Sequence, residues 1–250
     1  MAIKEHSESE NIYDRIQEIF GSVPEHYSIL EEQIDIDLQM EYFEQSKSVK
    51  QSLDPPVVMN KKESIYDSTL PLEERKLIFT QLASLEDVEA YRTIERYIKS
   101  DELDLKNWAI LALQESRMLL ESKLLDESQV FISTGLGGKD SKLRYFVVLI
   151  GKQQQAFGDL HKKVIRNEFE ILLKKYDSEL EKIEFKEEFA LLMAILPLPV
   201  SIRGIFKEAI KNCNIYGDFL KSNFIVTNVR ELSLPEIKDF LSKQQQLDEL

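Results

Sequence analysis

A glycine-rich loop at residues 135–140 is the stretch of this sequence that comes nearest to a ligand-binding motif. A phosphate-binding loop of the Walker type has a glycine, four residues and then Gly-Lys-Ser/Thr, and it leads into a helix. Here Gly138 and Lys139 are followed by Asp140 and then by a predicted strand, so both spacing and context fail. The loop therefore predicts a β-hairpin in which glycines supply positive φ. The alternative is a flexible loop that contacts an anion through Lys139 and Lys142.

A second candidate site follows from the predicted sheet rather than from a motif. If strands Leu143–Ile150 and Phe189–Leu196 are parallel, the loops 151–158 and 197–203 that follow them lie side by side. Two helix N-termini would then face one cleft, and helix N-termini attract anions. The alternative is a pair of ordinary connections, with a serine cap in the second. The residues that could line the cleft are Lys152, Ser201 and Arg203.

A dense group of carboxylates follows residue 30, with Glu31, Glu32 and Asp35 as its central members. Helical di-metal sites place a histidine three residues after a glutamate, and no histidine in this sequence has that spacing. The group therefore predicts an acidic surface that is solvated or faces a partner. The sequence predicts neither a metal site nor a cofactor.

Other residue types that often perform catalysis do not form a recognisable set. Cys213 is the only cysteine and falls near the end of a predicted helix, which favours a packed thiol over a nucleophile. His6, His26 and His161 are scattered, and none accompanies a nucleophile and a carboxylate in a known arrangement. The sequence thus offers no catalytic residues and favours a non-enzymatic role, although it leaves the question of activity open.

Charge is distributed unevenly along this acidic chain of 250 residues. The net charge of −13 argues against general nucleic-acid binding, which depends on neutralising phosphates. Residues 1–46 hold twelve Asp or Glu against two basic residues, whereas residues 139–166 hold seven Lys or Arg against two Asp. The simplest interpretation is that one face docks on the other, within the molecule or in a dimer. An anionic ligand on the basic segment is the alternative.

Several features indicate where the chain resides. No run approaches the ~18–20 apolar residues that a membrane-spanning helix needs. Residues 1–10 lack the basic start and apolar centre of a secretory signal. A single cysteine cannot form an intrachain disulfide, which suits a reducing compartment. The sequence therefore predicts a cytoplasmic protein without a membrane partner.

The first half of the sequence has helical periodicity. Two helices are predicted before a proline-containing break at residues 54–56 and an irregular linker at Val57–Ser68, and three shorter helices follow. Because the connections between these three are only a few residues long, successive helices should run antiparallel. The predicted helices are Asn11–Phe20, Pro24–Gln45 (capped by Ser22), Leu72–Ala83, Asp87–Lys99 and Asp104–Ser122.

Two of these helices carry a recognisable pattern. Leu85-Glu86-Asp87-Val88 opens the first helix, Asp101-Glu102-Leu103-Asp104 forms the turn, and Leu105-Lys106 begins the second, which continues with Ala109, Ala112 and Leu113. This segment resembles a HEAT repeat, in which small alanines allow close helix approach and arginine is typical where this chain has Lys106. The resemblance covers about residues 71–122. It implies stacked helix pairs that bind other proteins and perform no chemistry.

After residue 127 the periodicity changes to that of strands. The order is β-β-α-β-α-β-α, which predicts an α+β chain with an all-helical region at 1–127 and a mixed-sheet α+β sandwich at 128–250. The last helix begins at Ser233, which forms a capping box with Glu236. The predicted elements before it are Gln129–Thr134, Leu143–Ile150, Asp159–Ile183, Phe189–Leu196, Ser201–Asn212 and Asn223–Val229.

The sequence supports two functional hypotheses. The first is a cytoplasmic interaction or adaptor protein that binds a protein partner, or a second copy of itself, through its helical region. Its acidic residues Glu31, Glu32 and Asp35 would favour a basic partner or the chain's own basic segment. The second is an enzyme or sensor that binds a small anionic ligand at the sheet edge formed by loops 151–158 and 197–203.

Overall fold

A computed structural model describes residues 27–100, 104–126 and 129–248 of the chain. These residues divide into two compact units. Residues 27–30 and 34–133 form the helical unit, and residues 31–33 and 134–248 form the sheet unit. The predicted α+β class is confirmed. The predicted helix Asn11–Phe20, its neighbour's cap Ser22, and the residues His6 and His26 lie outside the described part.

The helical unit is built mainly from helices that the sequence predicts. The predictions for α3, α4 and α5 agree with the structure to within three residues at each end. The elements are β1 (Tyr27–Ile29), α1 (Ile36–Val49), α2 (Pro55–Asn60), a 3-10 helix (Lys62–Tyr66), α3 (Leu72–Ala83), α4 (Val88–Ile98), α5 (Lys106–Leu125) and β2 (Val130–Ile132).

The start of this unit differs from the prediction. Within the described residues, the predicted helix Pro24–Gln45 is wrong from Tyr27 to Asp35, because β1 forms a parallel pair with β2 and α1 begins only at Ile36. Asp35 ends the extended segment by accepting the backbone N–H of Asp37 at 2.9 Å, as an N-cap does. The region 1–127 is therefore not all-helical, and β2 belongs to the helical unit rather than to the main sheet.

The predicted linker Val57–Ser68 is also wrong, because it contains α2 and the 3-10 helix. Asp54 caps α2, and Pro55 and Pro56 occupy its first turn, where a missing N–H costs nothing. The prolines thus start a helix, whereas α1 has already ended at Val49.

A buried arginine holds the centre of the helical unit. The Arg75 side chain on α3 is 2% exposed and forms an ion pair with Asp104, just before α5. It also donates to the carbonyl oxygen of Ile65 at 2.9 Å and to the Tyr97 hydroxyl at 3.2 Å. Tyr97 in turn donates to Asp104 at 2.6 Å, and burial together with Asp104 raises the pKa of Tyr97 to about 12. One guanidinium therefore connects the 3-10 helix, α3, α4 and the start of α5.

Replacing Arg75 with methionine should destabilise the helical unit by about 3 kcal/mol, since it leaves the buried carbonyl and hydroxyl without their donor. Urea unfolding followed by the fluorescence of Trp108, the only tryptophan and a buried residue of this unit, measures the change. The matched control is Arg92→Met on α4, whose side chain is 64% exposed and should matter by less than about 0.5 kcal/mol. Equal losses for the two variants would contradict the assignment.

The sheet unit contains one antiparallel sheet covered by three helices. Its elements are β3 (Gly138–Lys139), β4 (Lys142–Gly151), α6 (Asp159–Lys175), β5 (Glu179–Lys186), β6 (Phe189–Pro197), α7 (Ile202–Ile215), β7 (Leu220–Thr227) and α8 (Leu234–Asp248). The strand order is β5-β6-β4, with β7 and the short β3 both pairing with the other side of β4. From β4 to β7 this is the split β-α-β-β-α-β arrangement of ferredoxin-like folds.

The sequence prediction missed β5. The predicted helix Asp159–Ile183 is wrong beyond Lys175, because Asp177 adopts positive φ (53°) and the chain turns into a strand. With this additional strand, β6 runs antiparallel to β4, so the predicted parallel pairing is wrong.

Alternation of side chains along β4 and β6 gives the sheet two apolar faces. Val147 and Leu192 lie on the face that packs against α6 and α7, whereas Val148 and Leu191 lie on the other face with Ile237 of α8. The start of α8 is as predicted: the Glu236 carboxylate accepts the backbone N–H of Ser233 at 2.9 Å. The central strands are therefore buried on both sides.

Gly137 is tightly enclosed where the chain enters the β3–β4 hairpin. Its φ is +63°, and an added Cβ would lie 2.4 Å from the carbonyl oxygen of Glu31 and 2.5 Å from that of Glu32. The hairpin turn itself uses Asp140 and Ser141, both at positive φ. A hairpin therefore forms in this segment, but its first strand is β3 rather than the predicted Gln129–Thr134, and its turn uses Asp140 and Ser141 instead of glycines. Gly137, just before β3, is required by both backbone conformation and space.

Replacing Gly137 with alanine should destabilise the sheet unit by more than about 2 kcal/mol, because backbone strain and the clash add together. Gly158→Ala is the control, since a Cβ added there would meet no atom within 4 Å and the φ of Gly158 is −69°. Hydrogen exchange of β4 amides reports the stability of this unit. Unchanged exchange in the Gly137 variant would contradict the prediction.

Candidate functional site

The anion cleft predicted at the sheet edge is not formed. Because β4 and β6 are antiparallel, Ile150 pairs with Phe189 at one end of the sheet and Lys142 pairs with Pro197 at the other. Loops 151–158 and 197–203 therefore lie at opposite ends, and Lys152 is separated from Ser201 and Arg203. Ser201 caps α7 by accepting the Gly204 N–H at 3.3 Å, so the alternative of ordinary connections with a serine cap is the one observed.

The lysines proposed to bind an anion, Lys139 and Lys142 in the glycine-rich loop and Lys152 in the cleft, are all engaged in ion pairs. Lys139 contacts Glu179 and Lys142 contacts Asp177, each at 2.9 Å, so both connect the β3–β4 hairpin to β5 or its preceding turn. Lys152 pairs with Asp218 in the loop before β7. Arg203 is the exception, because it is exposed on α7 and no carboxylate lies within 4 Å of it in the described part of the chain.

The predicted acidic surface is used partly within the chain. The Glu31 carboxylate accepts the backbone N–H of Asp140 at 3.0 Å, and the Glu31 carbonyl accepts that of Gly138 at 3.3 Å. Asp35 serves as the cap of α1. Glu32 is exposed. Glu31 therefore contacts the β3–β4 hairpin through backbone amides, and the predicted charge contact with the chain's own basic segment stays a prediction.

A half-open groove on the helical unit is a candidate binding site among the described residues. It lies between α1 and α5, is closed at one side by β2, and encloses about 390 Å³, within the size range of ligand and peptide pockets. Its apolar lining is Phe43, Leu111, Met118 and Phe131. Its polar lining is Ser46, Lys47, Lys50 and Glu115.

Glu115 forms the polar floor of this groove. Its side chain is 6% exposed and its two oxygens accept the hydroxyl groups of Tyr42 and Ser46, both at 2.6 Å. Lys50 reaches the same carboxylate at 2.7 Å from the rim. Burial, followed by the nearby Glu115 charge and hydrogen bond, raises the pKa of Tyr42 well above its ordinary value. Tyr42 therefore stays a neutral donor near neutral pH.

The polar groups on the floor of the groove are paired with one another, within the set of Glu115, Tyr42, Ser46 and Lys50. Lys47 is different, since it is exposed at the rim and has no ion partner in the described ranges. An apolar wall beside one available cation is suited to an apolar side chain with a neighbouring carboxylate.

Glu115 could have been recognised from the sequence. It lies seven residues after Trp108 and three after Ala112, on the apolar stripe that predicts the buried side of α5. A charged residue at such a position needs buried partners. Its partners on α1, however, are about seventy residues away in the chain, and no local pattern indicates them.

Other possible sites are weaker. The described residues contain no group of three or more His, Cys, Asp and Glu side chains that could hold a metal ion. His161 stacks on the ring of Phe219, with the ring centroids 4.2 Å apart, which is a packing contact. None of the helices within the described ranges combines the length and apolarity needed to cross a membrane.

Comparison with known proteins gives no family for this chain. No family model and no curated protein matches it. Among solved structures, a protein of Deinococcus radiodurans R1 provisionally named a transposase is similar over 43% of this chain and 94% of its own length. The identity is 17% and the TM-score is 0.36, too low for any argument about the present protein.

Cys213 is packed inside the sheet unit, as the sequence predicts. It is fully buried among α7 and the sheet, and burial together with Glu168 raises the pKa of the thiol to about 12.

At pH 8 the Cys213 thiol should therefore remain protonated and inaccessible in the folded protein. Its reaction with a chromogenic disulfide reagent should be at least about 100-fold slower than in guanidinium chloride, where one equivalent should react at once. Rapid stoichiometric reaction of the native protein would show that Cys213 is a reactive thiol.

Proposed function

We propose that this chain is a non-enzymatic interaction protein whose helical unit binds a segment of another protein in the groove between α1 and α5. The single observation that carries the proposal is the groove itself, where half-exposed Phe43 and Met118 stand beside a paired polar floor. Apolar grooves between helices commonly receive the anchor residues of a partner segment.

The positive charge at the rim of the groove indicates which kind of partner segment would bind there. Lys50 is neutralised by Glu115, whereas Lys47 is available to a ligand. We therefore propose an apolar anchor residue, held by Phe43, Met118 and Phe131, with an Asp or Glu nearby that pairs with Lys47. Lys47 would thus provide a positive charge for the partner, although the chain as a whole is acidic.

Two features of the sequence agree with this proposal. The resemblance of residues 71–122 to a HEAT repeat implies protein binding, and it remains a prediction. The cytoplasm is the proposed location, since the only cysteine is a buried free thiol that requires no oxidising compartment. The sensor hypothesis is not carried forward, because its cleft depended on parallel strands.

The proposal can be tested by photocrosslinking in the native cell. A photoreactive phenylalanine analogue at Phe43 should capture one protein, identified by mass spectrometry. The same analogue at Val88, an exposed residue of α4 outside the groove, should not capture it. Capture alone does not decide the matter, so the purified partner must then bind the purified chain.

In calorimetric titrations with that partner, Phe43→Ala and Lys47→Glu should each weaken binding by about tenfold or more, the effect of losing an interface anchor. Val88→Ala and Lys106→Glu are matched controls and should change the dissociation constant by less than about twofold. Equal crosslinking at residues 88 and 43, or an unchanged dissociation constant in the Phe43 and Lys47 variants, would refute the proposed function.

A further inference from the structure

The outer surface of the α6–α7 layer is a basic face with unusual apolar exposure. No carboxylate among the described residues lies within 4 Å of its five cations, whereas Lys139 of β3 and Lys142 and Arg144 of β4 are paired. Leu160 and Ile171, on the same helix layer, are each 68% exposed. The five unpaired cations, here called the basic face, are Lys163, Lys174, Arg203, Lys207 and Lys211.

The two helices present these side chains on one surface. Both α6 and α7 pack on the same side of the sheet, and Glu208 of α7 contacts Tyr176 and Lys175 at the end of α6. The 17 residues of α6 span about 25 Å, and two neighbouring helices are about 20 Å wide. The basic face is therefore extended and nearly flat rather than a pocket for a small anion.

The helical unit carries a surface of opposite charge. Helices α1 and α3 are neighbours, because Lys76 bridges Glu41 at 2.8 Å and Glu73 at 3.0 Å. Met40 and Leu77 are exposed on these helices. The exposed carboxylates, here called the acidic face, are Asp37, Glu41, Glu44, Glu73 and Glu74.

We infer that the basic face of one copy of the chain binds the acidic face of a second copy. The carboxylates Asp159, Glu170 and Glu208 of the α6–α7 layer lie within 4 Å of other cations, so the five residues of the basic face add positive charge that no ion pair among the described residues offsets. The charged residues named for both faces are exposed, and both surfaces carry exposed apolar side chains, so the two are complementary in charge and apolarity. The contact uses different residues from the groove and does not depend on the proposed function.

The size of the faces sets the strength of this association. A footprint of about 500 Å² per copy is below the ~800 Å² of a standard stable interface. Exposed ion pairs are weak and are screened over about 10 Å at 0.1 M salt. The association should therefore be of about micromolar strength and should weaken steeply as salt increases. Because the two faces differ, larger assemblies can form unless the contact closes on itself.

Sedimentation velocity on the full chain tests this inference. At about 50 mM salt the sedimentation coefficient should rise with protein concentration, and at about 500 mM salt it should not. The pair Lys207→Glu with Lys211→Glu, and separately the pair Glu44→Lys with Glu74→Lys, should each weaken self-association by at least about tenfold. These positions are exposed, and unchanged melting temperatures would verify that the variants fold.

Mixing the two reversed variants provides the decisive comparison. The first variant keeps a native acidic face and the second keeps a native basic face, so the mixture should associate although neither does so alone. The control pair Lys61→Glu with Lys106→Glu makes the same charge change at exposed sites outside both faces and should associate like the wild type. A wild type that is monomeric at every concentration, an equally weakened control, or a mixture that fails to associate would overturn the inference.

Discussion

The helical unit depends on the buried guanidinium of Arg75. A charge at that depth is tolerated only because it has a carboxylate, a carbonyl oxygen and a hydroxyl as partners, each from a different element. These partners fix the position of α5 relative to α3 and α4. Since α5 also carries Glu115, the same interaction determines where the polar floor of the groove lies against α1.

The sequence prediction succeeded where an element is determined by nearby residues and failed where it depends on residues far away in the chain. The bounds of α3, α4 and α5 are set by local signals, such as the Asp87 cap and the apolar stripe around Trp108, and were predictable. The strand β1 was not predictable, because three residues gain their strand conformation only by pairing with β2, about a hundred residues later. Local helix propensity before Asp35 gives no indication of that partner.

One missed strand accounts for the incorrect cleft. The segment Glu179–Lys186 is rich in Glu and Lys, which are good helix formers, yet in the fold it is an exposed edge strand. When this strand is left out, β6 is predicted to run parallel to β4, whereas the two strands are antiparallel in the structure. The predicted parallel pair is what placed Lys152 and Arg203 at the same edge of the sheet.

Whether a charged residue forms an ion pair within the fold, rather than how many charges surround it in the sequence, determines whether it can contact another molecule. Lys139 and Lys142 drew attention because they follow glycines, but each is held by a carboxylate of the sheet unit. Lys47 and Lys207 have no motif around them and no ion partner in the described ranges. A net charge of −13 averages over both kinds. It therefore says little about local surfaces, where a basic face can bind an acidic one because its cations have not been neutralised within the fold.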